Sequence, residues 1–342
     1  MRYLVTGGCG FIGSHLCKAL NSRGDEVIVL DNLSSGRKDR LPLGCQLIIG
    51  DVRDPDAVCE AMQGAQGVFH LAAVASVQKC NEEWRDGHLT NQTGAVTIFE
   101  KARDLGKLPV IYTSSAAIYG DGGVAPLKES QCASPQTAYG ADKYGCELHG
   151  RVAQQIHGVR TVGLRPFNVY GPGQDPNSPY SGVISIFADR MQKREPFFVF
   201  GDGKQTRDFV YVGDAVRYFL AAMRLRNHKP EVFNIATGSA TSLLSLIATL
   251  EQIFNRKAEY THLAARSGDV RHSCGVPLKA LQQMGVATKT ALKVGLAETF
   301  KRRELHQPLV LLPADDQANP TRPFKKPATP LSVVPASEEG GR

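Results

Sequence analysis

The sequence predicts an α/β fold in which a parallel sheet carries helices on both faces. Two observations predict it. In the first half of the chain, short β-branched apolar runs alternate with amphipathic stretches. The first of those runs also passes through a glycine cluster straight into a helical pattern. The expected strands are 3–6, 26–30, 46–49, 67–71 and 108–113, with helices over 12–23 and 93–105 between them. Strand, crossover helix and strand, repeated with the usual right-handed connection, build a Rossmann-like doubly wound parallel sheet. Ligands on such sheets bind at the carboxyl ends of the strands.

After Leu164 the texture changes. Residues 171–179 are rich in Gly, Pro, Asn and Asp and read as a loop, and the later strands, 198–200 and 232–235, are widely spaced. Residues 1–165 are therefore expected to form the sheet domain. Residues 166–305 form a smaller C-terminal substrate-binding lobe interleaved with the sheet. Residues 306–342 hold seven prolines and a closing Glu-Glu-Gly-Gly, cannot build a core, and are expected to be a disordered tail.

The composition narrows the function. A chain of 342 residues with 42% hydrophobic residues can bury a large core without staples. Its eight cysteines include no CxxC pair and no zinc-ligand spacing, so free thiols in a reducing, cytoplasmic compartment are expected, with no metal. No secretory signal and no run long enough to span a membrane is legible. The net charge of +7 lies in the body of the chain. No basic stripe with interleaved aromatics accompanies it, which favours a small anionic ligand over nucleic acid.

Gly7, Gly10 and Gly13 follow the first strand at once and open the first helix. Glycines at this spacing permit a tight turn and a close approach of backbone to a pyrophosphate, which then meets the free N–H groups of the helix terminus. Asp31 ends the second strand, 18 residues after Gly13, where a carboxylate can accept from both ribose hydroxyls of a dinucleotide. It would repel a 2′-phosphate, so the cofactor expected is NAD. Asp51, after the third strand, suits either an adenine contact or a surface cap. His70 reads as a core histidine without chemistry.

Ser115 lies just past the fifth strand, and Tyr139 and Lys143 stand four residues apart on an expected helix, on one face. A free tyrosine titrates near ~10, too high for a base at neutrality. A neighbouring ammonium and an oxidised nicotinamide bring it toward working pH. Ser115 would hydrogen-bond the same substrate oxygen, and Lys143 would also hold the nicotinamide ribose. The set points to oxidation or reduction of an alcohol or ketone.

With these motifs in place, the chain resembles the extended short-chain dehydrogenase/reductase family, specifically nucleotide-sugar epimerases of the UDP-glucose and UDP-N-acetylglucosamine 4-epimerase type. The resemblance covers about residues 1–305. It rests on TGGCGFIGSHL (6–16), DNLSSGR (31–37), HLAA (70–73), SSAAIYG (114–120), YGADK (139–143), LRPFNVYGPGQDP (164–176), TRDFVYVGD (206–214) and RSGDVRHS (266–273). It implies that Ser115, Tyr139 and Lys143 are catalytic. It adds Phe11, Ile12, Asn32, Ser35, Gly36, Asp51, Val52, Leu71, Ala72, Ala73, Asn91 and Phe167 to the cofactor site. For the UDP-sugar it implies Asn168 at the sugar, Phe198 and Phe200 at the uracil, Arg207 and Arg266 on the diphosphate, Asp269 on the nucleotide ribose, and Val183 in the same site.

Related dehydratases and decarboxylases carry acids after the catalytic serine or threonine, whereas here Ala116 and Ala117 follow Ser115. That disfavours elimination and leaves reversible oxidation at C4′. Ser273 stands where enzymes restricted to glucose and galactose often carry a bulky tyrosine, so room for a 2-acetamido group is expected. Ala75 and Pro166 depart from the glucose-type pattern. UDP-uronic acid epimerisation and a net NAD(P)H-dependent keto-sugar reductase are the rival activities. The resemblance also implies a homodimer joined through helices 93–105 and 139–156, and a place in polysaccharide synthesis.

Overall fold

The computed structural model describes residues 1–304 apart from 122, 124–125, 177–181, 227–228 and 266–269, with backbone only for 302–304. The strands are β1 (Arg2–Thr6), β2 (Glu26–Asp31), β3 (Gln46–Ile49), β4 (Val68–His70), β5 (Val110–Thr113) and β6 (Thr161–Pro166). They continue as β7 (Asn168–Tyr170), β8 (Phe197–Phe200), β9 (Thr206–Arg207), β10 (Phe209–Tyr211), β11 (Glu231–Ile235), β12 (Thr241–Ser242) and β13 (Tyr260–Leu263). The first six helices are α1 (Phe11–Asn21), α2 (Pro55–Met62), α3 (Val77–Glu82), α4 (Trp84–His88), α5 (Gly94–Asp104) and α6 (Ala138–Gln155). The others are α7 (Val183–Lys193), α8 (Val212–Arg224), α9 (Leu243–Phe254), α10 (Leu278–Met284) and α11 (Leu292–Glu304).

Seven strands make one sheet in the order β11-β6-β5-β4-β1-β2-β3, parallel throughout. Successive side chains on a strand alternate faces. Tyr3 and Val5 of β1 join Val29, Phe69, Ile111 and Val162 under α1 and α8, packed on Leu16, Leu20 and Phe219. Leu4 joins Ile28, Val68 and Val110 on the opposite face, under α2, α5 and α6, against Met62, Ile98 and Ala153. Each fully buried side chain of this kind stabilises the sheet by roughly 1.5–3 kcal/mol. Burial on both faces explains the near-continuous apolar runs. The strand order reverses between β1 and β4, which opens a crevice at their carboxyl ends.

A separate core lies in the second half, where Phe187 and Met191 of α7, Phe197 and Val199 of β8, Leu246 and Leu250 of α9, and Leu296 of α11 pack together. The chain nevertheless returns to the main sheet through β11, which pairs with β6. Met1–Leu305 forms one compact unit. The tail expected from 306 lies outside the described residues.

Expected bounds shift where local chemistry intervenes. The strand expected at 108 begins at Val110, because the Leu108 amide closes the preceding helix onto the Ala102 carbonyl (2.9 Å) and Pro109 has no N–H to give a ladder. A wide π turn, Leu89–Thr93, precedes α5. Strands of two or three residues, such as β7, β9 and β10, are too short to show a period in the sequence.

Candidate active site

A cleft of about 880 Å³ opens at the carboxyl ends of the sheet strands, within the size range of ligand sites. Of the residues expected at the cofactor, Gly7, Gly10, Phe11, Ile12, Gly13, Asp31, Asn32, Ser35, Gly36, Val52, Leu71, Ala72, Ala73, Tyr139, Lys143 and Phe167 line it.

The glycine loop fits a pyrophosphate. Gly7 adopts φ +70°, and a Cβ there would lie 2.7 Å from the Ala72 amide nitrogen. A Cβ on Gly13 would lie 2.1 Å from the Gly7 carbonyl oxygen, so no side chain is tolerated. Helix α1 starts here with Gly10 at its cap and no side chain bonding its first amides. Those amides therefore point at the place where an anion is best held. Asp31 is 7% exposed and accepts from the Cys9 amide on Oδ2 and the Leu33 amide on Oδ1, both at 2.9 Å. The backbone thus aims the carboxylate, and each oxygen keeps a lone pair for a ribose hydroxyl. These features fit a bound dinucleotide.

Asp51 and Asn91 do not line the cleft. Asp51 accepts from Asn32 Nδ2 (3.0 Å) and from Arg53, whose Nη2 lies at 2.8 Å. Partial burial pushes the Asp51 carboxyl up, but the Arg53 and Asn32 hydrogen bonds outweigh it and hold it below the usual range. Asn91 is fully buried, accepts from the Val74 amide at 2.8 Å and donates to the Val74 carbonyl at 3.2 Å. It fixes the loop after β4 from behind. His70 is buried, with Nδ1 2.8 Å from Thr6 Oγ1, and burial and the nearby Lys143 push its pKa down to about 3.

At the other end of the cleft stand Ser115, Tyr139 and Lys143. Thr137 caps α6 by accepting from the Gly140 amide, and Asn81 Oδ1 accepts from the Ala138 amide, so Tyr139 sits on a pinned first turn. Lys143 is 2% exposed. Its Nζ donates to the Thr113 carbonyl at 2.8 Å and lies 5.9 Å from the centre of the Tyr139 ring. An ammonium held there stabilises a phenolate. Ser115 Oγ accepts from the Ala117 amide (3.1 Å), which leaves its O–H to donate to a substrate. The adjacent Ser114 is fully buried and gives its hydroxyl to Glu147, so it is not available to a ligand.

Of the residues expected at the substrate, Asn168, Phe198, Phe200 and Arg207 lie on short strands, Val183 on α7 and Ser273 in a loop. Asn168 lines the cleft, and its amide donates to the Asp208 carbonyl at 3.0 Å, next to Arg207 on β9. The Ser273 amide donates to the Thr206 carbonyl (3.1 Å), and Gln205 Nε2 donates to the Phe200 carbonyl (2.6 Å). Phe200, Arg207 and Ser273 are thereby tied into one knot beside Asn168. Phe198 is exposed on β8, and Val183 opens α7 directly after Gly182, which lines the cleft. Arg266 and Asp269 lie outside the described residues.

Sequence reasoning missed Asp208, Gln174, Asp175 and Arg53. Asp208 is fully buried and accepts from the Thr237, Gly238 and Gly275 amides, so it knits the lobe together while burial pushes its carboxyl up. Its isolation inside TRDFVY offered no pattern to read. Gln174 and Asp175 line the cleft, and Gln174 Oε1 accepts from Ser185 Oγ at 2.9 Å. Their place in the Gly-Pro-rich loop was the available signal.

Residues 3–236 match the NAD dependent epimerase/dehydratase family. A UDP-glucose 4-epimerase of Mycolicibacterium smegmatis is 33% identical, over 88% of this chain and 98% of its own length. Among solved structures, the UDP-glucose 4-epimerase of Thermotoga maritima with UDP-glucose is 38% identical at a TM-score of 0.85, covering 89% of this chain and 100% of that one. The UDP-N-acetylglucosamine 4-epimerase of Methanobrevibacter ruminantium is 32% identical at a TM-score of 0.84, covering 89% and 98%. This chain belongs to the NAD dependent epimerase/dehydratase family, and NAD is its cofactor.

Proposed function

We propose that the protein is an NAD-dependent UDP-sugar 4-epimerase that interconverts UDP-GlcNAc with UDP-GalNAc, UDP-glucose with UDP-galactose, or both. The observation that carries this reading is the cluster of Ser115, Tyr139 and Lys143 at the cofactor cleft, with Ala116 and Ala117 where an eliminating or decarboxylating enzyme needs an acid. Tyr139 takes the proton from O4′ of the sugar. Lys143 stabilises the phenolate form that can do so, and Ser115 donates to the same oxygen. NAD, when bound, supplies the reversible hydride acceptor at C4′. Arg207 and Arg266 grip the diphosphate while the sugar turns to offer its other face, and each cycle restores the oxidised cofactor. Phe198 and Phe200 pack the uracil, Asp269 takes the nucleotide ribose, Asn168 contacts the sugar end, and Val183 belongs to the same site.

A small Ser273 in the knot beside Asn168 supports an N-acetylated sugar. One observation favours a second reading. A UDP-glucuronic acid 4-epimerase of Bacillus cereus, solved with UDP-glucuronic acid and NAD, covers 90% of this chain at 27% identity and a TM-score of 0.82. Purified enzyme without added cofactor, given UDP-GlcNAc, UDP-glucose and UDP-glucuronic acid in turn, separates these readings. Conversion of UDP-GlcNAc is expected. Conversion of UDP-glucose alone overturns the Ser273 argument, and conversion of UDP-glucuronic acid alone moves the substrate to the second reading. A requirement for added NADH or NADPH with net consumption overturns the epimerase reading.

The same reading places a homodimer in the cytoplasm. Leu148 and Val152 of α6 and Ile156, which caps its C-terminus, are 42%, 45% and 73% exposed, at the four-residue spacing a helix–helix seam uses. Sedimentation at micromolar concentration should show a dimer, and a monomer alone would refute it. Among the described residues no helix is long and apolar enough to cross a membrane.

A further inference from the structure

Glu147 stands four residues beyond Lys143 on α6, one turn along the same face, and is 6% exposed. Its carboxylate accepts from Ser114 Oγ at 2.5 Å, Arg165 Nε at 2.8 Å and Arg165 Nη2 at 2.6 Å. Arg165 is 4% exposed on β6. Its Nη1 donates to the Tyr119 hydroxyl, and that hydroxyl donates to Asn234 Oδ1 on β11, both at 2.7 Å. Asn234 Nδ2 donates in turn to the Leu127 carbonyl at 2.9 Å. This buried network joins β5, α6, β6 and β11.

Its position relative to the reacting groups is specific. Ser114 is flanked by Thr113, whose carbonyl holds Lys143, and by Ser115. A displacement of Ser114 therefore moves both a catalytic hydroxyl and the anchor of the catalytic ammonium. An apolar pair at 147 and 165 could pack as tightly but would not fix a direction, because dispersion contacts tolerate sliding and a forked guanidinium–carboxylate pair does not. The ionic pair is costly to bury, and its return here is geometric.

We propose that Glu147 is a positioning residue for proton transfer: through Ser114 and Arg165 it holds the end of β5 at a set spacing from α6, so that Ser115 and Lys143 converge on Tyr139. The inference rests on the proton-transfer role assigned above to Tyr139.

The test uses the NAD-bound holoenzyme and two variants, Ser114→Ala and Glu147→Gln, each confirmed as folded by circular dichroism. Epimerisation is followed with the UDP-sugar that the parent enzyme turns over, and bound NAD is measured in each variant. Both variants should lower kcat about ten-fold with KM within about two-fold and NAD content unchanged, because the reacting groups no longer converge while the binding residues stay in place. If Glu147→Gln does not fold, Ser114→Ala, which removes one hydroxyl and no charge, decides alone. Folded variants that keep the parent's kcat overturn the proposal, even if they melt earlier, since that is what a purely structural pair would do. A parent enzyme that epimerises no UDP-sugar overturns the functional reading and this inference with it, whereas an active parent with equally active variants overturns this inference alone.

Discussion

The two ends of the cleft are built on different principles. The cofactor end is held by long-range sheet architecture: β1, β2, β4 and β5 are parallel, covered on both faces, and deliver Gly7, Asp31, Ala72 and Thr113 from their carboxyl ends. The end proposed for the sugar nucleotide is held by two- and three-residue strands and by side-chain ties such as Asp208 and Gln205. A rigid sheet sets positions that every reaction of this class needs. Short, locally tied segments can change their side chains without disturbing that sheet, which suits them to substrate choice.

Substitutions at each end sharpen the contrast. Tyr139→Phe should have the largest effect, lowering kcat by about a thousand-fold, a typical share for a positioned base, while bound NAD is retained. A rate within ten-fold of the parent would break the mechanism. Next comes Asp31→Ala, which removes the carboxylate aimed by Cys9 and Leu33. NAD affinity should fall roughly ten- to a hundred-fold, the worth of charged hydrogen bonds, and equilibrium titration with NAD reads it. Arg207→Met should raise KM for the UDP-sugar by about ten-fold and leave NAD content alone, because its effect is confined to the lobe. If Arg207→Met releases NAD instead, the two ends are not separable in the way described.

A further effect is on stability and needs no substrate. His70 has its pKa pushed from 6.5 down to about 3 in the fold, so the unfolded chain takes up a proton that the native protein refuses. Stability is complete above about 6.5 and declines as pH falls toward 3, by up to about 1.4 kcal/mol per pH unit. His70→Asn should flatten this part of the curve in urea unfolding at pH 4–7. An unchanged slope would assign the acid sensitivity elsewhere.

The same contrast explains what could be read in advance. Strands β1, β2, β4 and β5 carry continuous apolar runs because both faces are buried, and with the edge strand β3 they were visible, as were the glycine loop, Asp31 and the four-residue spacing of Tyr139 and Lys143, whereas β6 was not read as a strand. β9 and β12 have two residues each, and no period exists at that length. Asn91 reads as a cofactor ligand by resemblance, yet the fold turns it inward to hold Val74. Ser115 was singled out in the sequence, and the fold supplies the physical reason: the buried Glu147 takes Ser114, and the cleft exposes Ser115.

From the sequence alone came the parallel sheet, the dinucleotide end and the tyrosine–lysine chemistry, since each depends on local periodicity or on residues a turn apart. Tertiary structure decided how Glu147 draws Ser114 into the core, how Asp208 gathers Thr237, Gly238 and Gly275, and how β11 rejoins the sheet beside β6. Those outcomes depend on contacts between residues far apart in the chain, where burial and hydrogen-bond satisfaction choose among side chains that local pattern leaves equal.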